Sequence, residues 1–418
     1  MGAVAVFTAV ASLARLGQDA AIAWRFGTGP AVDAYYFLLN LASWPVTVAL
    51  SLLSLLIAPT EARLRASDAD AARRFRGELL AWACVLALIL GPAAWWVMHA
   101  VAGSKLAGFG PPAAAQAAAG AMWLAPMVSV GIVGALLSAW LVAAGRHVLA
   151  LLEGLPPLVL LLLVLLVPGP VLFWGTSAGF AVQAPAMAWI LRRAGELPGP
   201  RLGLHSEHWK GFSEAALLLL GAQALFALFP LIDSFFAARM EQGTVAALSY
   251  TNRLVLGLQG LAGLALQRSG LPLLSKLAVH SPDATRHAAH RWALAMGIVG
   301  TLLALVVAAA ADLLVALVFE RGSFNAADRA QCVTLLRYGM LQMPFFPAGT
   351  ALVSALAATG ARHALALVAV TNPAVKLAAS AALVPLLGAP ALMVATALMY
   401  AAATAVAWLA LRRRLSAA

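Results

Sequence analysis

Charge is scarce in this sequence. Asp, Glu, Lys and Arg make up 10% of its 418 residues, whereas a soluble domain carries about 25%. Hydrophobic residues reach 63%, and the mean hydropathy is +0.91. That balance excludes a soluble globular domain and points to a polytopic membrane protein. Acidic residues are scarcer than basic ones, 16 against 27, which leaves a formal charge of +11. The basic residues lie in short loops between apolar runs, so they read as topology signals and contacts to anionic lipid, and nucleic acid is not an expected partner. The only cysteines, Cys84 and Cys332, are too far apart in sequence to support a disulfide framework or a metal knuckle.

Enzyme signatures are also missing. There is no P-loop, nucleophile elbow or Gly-rich dinucleotide fingerprint. The histidine pairs in HSEH (His205–His208) and HAAH (His287–His290) come without the carboxylate pattern of a metal site, and read as solvated loop residues. No catalytic residue, cofactor or metal is expected. Without an ATP site, any transport draws on an ion gradient, the membrane potential or the substrate gradient. The opening MGAVAVFTAVASLA lacks a basic n-region and is read as the first half of a retained span.

What is present is a succession of apolar runs. At about 20 residues per span, the chain reads as about twelve transmembrane helices, near 3–25, 33–58, 78–102, 118–144, 148–168, 171–191, 212–238, 244–275, 290–319, 331–359, 363–387 and 390–411. The polar segment from Arg192 to Lys210, with Pro198 and Pro200, separates two halves, 1–198 and 199–418. Loops after even-numbered spans and the tail hold most of the Lys and Arg, which places both termini in the cytoplasm.

The halves echo each other. Asp19, Arg25, Gly29 and Tyr36 meet Asp233, Arg239, Gly243 and Tyr250 at one constant offset. ALLSAWLVAAGRHVLALLEGLPP (Ala135–Pro157) matches ALVSALAATGARHALALVAVTNP (Ala351–Pro373) at an offset that differs by two residues. Two ordered echoes imply a duplicated unit of roughly two hundred residues. The expected architecture is therefore all-α, with two repeated six-helix lobes around a central cavity, a common transporter plan.

The organising stretch is ARLGQDAAIAWRFGTGPAVDAYY (Ala14–Tyr36). Arg15 and Asp19 are four residues apart and share one helix face. Arg25 and Asp33 flank a Gly/Pro turn. Charges at membrane depth are expensive and face a bundle interior or a wet cavity. Arg15, Asp19, Asp233, Arg253 and Lys376 are the hardest to place at an interface. Glu153, Glu214, Arg268, Asp312 and Arg337 are the other ionisable residues at that depth. Guanidinium binds phosphate bidentately and stays charged in a dry site, so an arginine-lined cavity suits an anionic substrate, with a diphosphate as the natural choice.

RLGQDAAIAWRFGTGPAVDAYY, SYTNRLVLGLQGLAGLALQRSGLPLLSKLA (Ser249–Ala278) and LVFERGSFNAADRA (Leu317–Ala330) resemble the MurJ/MviN lipid II flippases of the MOP (multidrug/oligosaccharidyl-lipid/polysaccharide) exporter superfamily. The resemblance covers most of the chain in order. It implies two six-helix lobes around a cationic cavity, alternating access, and flipping of an undecaprenyl-diphosphate-linked precursor of cell wall or polysaccharide across the bacterial cytoplasmic membrane. The implied partners are that lipid-linked glycan, membrane lipids and proteins of cell-wall or polysaccharide synthesis. Arg15, Gln18, Asp19, Arg25, Asp33, Asn252 and Arg253 fall on the implied substrate-binding segments.

The chain departs from the family pattern at named positions. Gln18 stands where an arginine is usual, with Arg15 one turn earlier. Val46 falls on another arginine position, and Asn252-Arg253 replaces an Asp-Arg pair. About twelve spans are two fewer than lipid II flippases typically have. Asp233 and Asn372 match a pattern that holds sodium in some members, but Lys376 stands where a carboxylate is expected. The resemblance thus implies that the Lys376 ammonium takes the cation's place and pairs with Asp233. Two other readings remain: a MATE-like cation-coupled multidrug exporter, which predicts an acidic, aromatic-lined cavity, and a non-transporting membrane subunit of a polysaccharide-synthesis complex.

Overall fold

The computed structural model describes residues 2–64, 69–145, 149–260 and 282–413. Arg65, Arg146-His147, Arg268, Lys276, Arg414 and the second part of the Ser249–Ala278 motif lie outside the described residues. All regular structure among the described residues is helical. The helices are α1 (Gly2–Phe26), α2 (Pro30–Leu64), α3 (Ala69–Ala102), α4 (Pro111–Ala143), α5 (Leu149–Leu152), α6 (Leu155–Leu166), α7 (Leu172–Arg193), α8 (His208–Phe226) and α9 (Phe229–Ala237). They continue as α10 (244–260), α11 (Pro282–Ala309), α12 (Ala311–Phe319), α13 (Ala326–Gly339), α14 (Phe345–Ala358), α15 (Arg362–Leu387) and α16 (Pro390–Arg413).

Eight helical segments among the described residues are long and apolar enough to cross a membrane, with α8–α9 and α13–α14 each taken as one broken span. The protein is an all-helical, multi-pass membrane protein. Proline inside helices, as at Pro45, Pro92, Pro126 and Pro373, fits a bilayer, where neighbouring helices satisfy the freed carbonyls. Helix ends follow local chemistry. Gly27, at φ +60°, closes α1, and Pro30 opens α2 with its ring preset for a first turn. Asn325 opens α13 through a capping box with Asp328.

Packing divides the chain into two compact units, Met1–Gln242 and Gly243–Ala418. This partition differs from the 198/199 boundary placed in the polar Arg192–Lys210 segment. The seventh expected span, α8–α9, packs on α2, where Asn40 donates to Ser234 Oγ (2.8 Å) and the Trp44 indole donates to the Ala224 carbonyl (3.2 Å). A polar linker marks where the chain leaves one apolar run for the next, whereas side-chain contacts decide which helices pack together.

In the N-terminal unit α4 is the most buried span, packed against α2, α3 and α7. Small residues let the backbones approach, as is usual in membranes. A Cβ on Gly120 would run into the Phe173 ring, and one on Gly131 would lie 2.8 Å from a Val46 methyl. The polar connector is docked rather than loose. Glu78 of α3 accepts hydrogen bonds from the Trp209 indole (2.6 Å) and from the backbone N–H groups of His205 and Ser206 (3.2 and 3.3 Å). Arg76 pairs with Glu61 and Glu196. The HSEH histidines belong to this seam: His208 meets the Phe75 ring edge-on. In the C-terminal unit α14 packs against α11 and α16, and α15 lies along α16.

Candidate substrate and ion-coupling residues

The α1–α2 corner is built around a buried carboxylate. Asp19 is 1% exposed, and Tyr36, two turns into α2, donates to its Oδ1 at 2.8 Å. The turn at Gly27–Pro30 brings the two helices back together, which is why residues 17 apart meet. Gln18 is buried beside Asp19. Asp33 is buried in the first turn of α2, where the exposed amides of a helix start favour a negative charge.

The two arginines of this stretch have different surroundings. Arg25 donates to the carbonyls of Val164 (2.7 Å), Val167 (2.6 Å) and Gly169 (3.1 Å). These carbonyls lie at and just beyond the end of α6, where a helix leaves acceptors without intrahelical partners. Arg25 thus ties α1 to the end of α6. Its repeat counterpart Arg239 does a similar job, donating to the Leu106 carbonyl (3.0 Å). Arg15 instead faces a carboxylate. Its guanidinium lies 3.9 Å from Glu153, and both side chains are 44% exposed.

Val46 occupies a helix crossing. Its methyls fill the notch left by Gly131 of α4, so the position that carries arginine in the resembled family is here a packing residue. Asp233 is buried on α9 beside Ser234. Asn252 and Arg253 are half-buried on α10. Near them Tyr250 is fully buried against the rings of Phe319 and Phe324.

Lys376 is the most deeply buried cation among the described residues, at 1% exposure. Its ammonium donates to the Leu392 carbonyl (2.9 Å) and to Thr396 Oγ1 (2.5 Å), both on α16. Asn372 and Ser380, one turn before and after on α15, are also buried. Sequence reasoning found Lys376 and Asn372 but not Thr396 or Leu392, because a threonine and a backbone carbonyl carry no signal of their own. It placed Glu153 at membrane depth without giving it a role.

The sequence matches the family model for the lipid II flippase MurJ over residues 22–418. The chain belongs to the MurJ family. A solved lipid II flippase MurJ in an inward closed conformation superposes with a TM-score of 0.85 at 13% identity, covering 98% of this chain and 87% of that one. An inward-facing multidrug resistance MATE transporter of the MOP superfamily gives 0.72 at 16% identity, covering 99% and 98%. A MOP superfamily transporter from Pyrococcus furiosus, described as having a binding pocket of reverse polarity, gives 0.67 at 13% identity, covering 99% and 94%. No curated protein matches the sequence significantly. At these identities the structural likeness establishes the fold, a MOP-type membrane transporter fold.

Proposed function

We propose that this MurJ-family protein translocates an undecaprenyl-diphosphate-linked precursor of cell wall or polysaccharide across the cytoplasmic membrane by alternating access, with both termini cytoplasmic and with the lobes 1–198 and 199–418 as its repeated halves. The family match over residues 22–418 supports the class of activity. Arg15 carries the substrate reading. It is a half-exposed guanidinium 3.9 Å from the Glu153 carboxylate, and a guanidinium suits a diphosphate. Gln18, Asp19 and Asp33 are proposed to shape that binding segment, and Asn252 and Arg253 are proposed as substrate-binding residues of α10. Arg25 is proposed to act as a brace, because three carbonyls already take up its donors.

For energy coupling, a sodium ion does not fit the surroundings of Lys376. The Leu392 carbonyl and the Thr396 hydroxyl already receive an ammonium, and a second cation beside it would be repelled. Asp233, Asn372 and Lys376 are proposed as the ion-coupling residues, with the Lys376 ammonium as a built-in cation on α15 in place of a coupling ion.

The test is complementation. The chain is expressed in cells depleted of their own lipid II flippase, with membrane insertion verified. Growth and lipid II exposure on the outer leaflet are then followed. Rescue supports lipid II as a substrate. Failure of well-inserted protein to rescue removes lipid II and leaves other polyprenyl-diphosphate glycans.

A further inference from the structure

We propose that the connector between α7 and α8 forms, with the start of α3, a docking site for anionic phospholipid. Arg73, Arg74 and Arg201 hold the lipid phosphate, and Leu202 and Leu204 enter the upper part of the acyl layer. This site is separate from the substrate reading above.

The connector is laid along α3. The Arg201 backbone N–H donates to the Gly77 carbonyl (3.0 Å), and the Trp82 indole donates to the Gly203 carbonyl (3.0 Å). Between these two points Glu78 accepts from the amides of His205 and Ser206. Gly77 permits the close approach: a Cβ there would stand 2.8 Å from the Gly199 carbonyl oxygen. Leu202 and Leu204 alternate in sequence with the docked residues Arg201, Gly203 and His205, and they are 77% and 60% exposed. Two leucines left this open in a polar connector gain by leaving water for an apolar layer.

α3 sets the depth. Beyond Trp82 come Leu86, Leu88 and Ile89, all exposed and apolar, as on the side of a span that faces acyl chains. Trp82 is itself partly exposed, and tryptophan gathers at the boundary between membrane and water. Gly77, which holds Arg201, lies five residues before Trp82, about 7.5 Å of helix rise. Arg73 and Arg74 lie one turn before Gly77 on the same side. The three guanidiniums thus stand at headgroup level, within reach of phosphate on flexible stems.

Their charge is not spent inside the protein. Arg76 engages Glu61 and Glu196, and Glu78 is engaged by Trp209 and the connector. Arg73, Arg74 and Arg201 are exposed, and none of them joins an ion pair among the described residues. Asp70 and Glu207 are exposed nearby in sequence, but Arg192, Arg193 and Lys210, also exposed, outnumber them. A surface with surplus positive charge beside two open leucines fits a lipid that offers both a negative phosphate and acyl chains.

The experiment places purified full-length protein in nanodiscs of phosphatidylcholine, alone or mixed with phosphatidylglycerol. Hydrogen exchange of the connector amides is measured, with thermal unfolding as the check on folding. Phosphatidylglycerol is expected to slow exchange at residues 201–206. Arg74→Gln and Arg201→Gln are each expected to reduce that protection about fivefold, the share of one basic residue at an anionic surface. Leu202→Ser combined with Leu204→Ser reduces it too. Arg201→Lys keeps most of it, and Lys105→Gln, outside the site, leaves it unchanged. Equal protection in phosphatidylcholine alone overturns the proposal. So does a phosphatidylglycerol effect that survives loss of all three arginines in folded protein, or an equal loss with Lys105→Gln, which would mean a general charge effect. Glycerol phosphate added to phosphatidylcholine nanodiscs is expected to protect little. If it protects as well as phosphatidylglycerol, the site takes a free phosphate and the lipid proposal fails.

Discussion

Lys376 and Thr396 face each other from α15 and α16, with 2.5 Å between Nζ and Oγ1. Thr396 Oγ1 also donates to the Leu392 carbonyl (2.9 Å), which accepts from Lys376 as well. Three groups thus close a small polar triangle between the two helices, and the ammonium supplies its charge.

Replacing that ammonium separates packing from charge. Lys376→Met keeps the length of the side chain, and the Thr396–Leu392 bond survives. Thermal unfolding is expected to shift little, because volume-conserving swaps usually cost less than about 1.5 kcal/mol. Lys376→Ala leaves a cavity and is expected to cost about 2–5 kcal/mol. Transport is expected to fall in both. A Met variant that transports like wild type would reduce Lys376 to a space-filler.

Tyr36→Phe removes the phenolic donor to Asp19. Leaving a buried acceptor short of a partner costs about 1–3 kcal/mol, so a lower unfolding temperature is expected. Asp19→Asn combined with Tyr36→Phe should lose less than the sum of the single variants, since the two groups share one hydrogen bond. Additive losses would show that the Tyr36–Asp19 bond contributes little.

Arg25 and Arg15 should part company. Arg25→Gln strips charged donors from three carbonyls, and hydrogen bonds to charged groups are worth about 1.5–3 kcal/mol each. Its expected phenotype is lower thermal stability with diphosphate affinity retained in the folded fraction. Arg15→Gln is expected to behave the other way round. Equal loss of affinity in both would return Arg25 to the binding site.

The α2–α4 crossing makes a steric prediction. Gly131→Ala drives a methyl into Val46, and overpacking of this kind costs about 1–3 kcal/mol. Val46→Ala in the same chain makes room and is expected to restore most of the loss in a thermal-unfolding cycle. Val46→Arg is expected to disrupt packing rather than add a binding arginine.

Much of this protein was legible in its residues. Scarce charge and long apolar runs decide the membrane class, because no soluble chain can cover so much apolar surface. The echo of Asp19 and Tyr36 in Asp233 and Tyr250 marks positions of consequence, and the first pair is hydrogen-bonded. Helix period places Arg15 and Asp19 on one face, and Gly27–Pro30 announces the corner between them and α2. All of these are local properties, fixed by composition, by the 3.6-residue turn or by backbone preference.

Tertiary structure alone decided what each polar group meets. Arg25 and Arg15 look alike in sequence. One caps carbonyls 139 to 144 residues away, and the other lies 3.9 Å from the Glu153 carboxylate. Lys376 finds a carbonyl that any residue type could have supplied, and Val46 is closed off by a glycine on another helix. Periodicity tells which face of a helix a side chain occupies but not what is packed opposite, and in an apolar protein that opposite surface decides what each charge contacts.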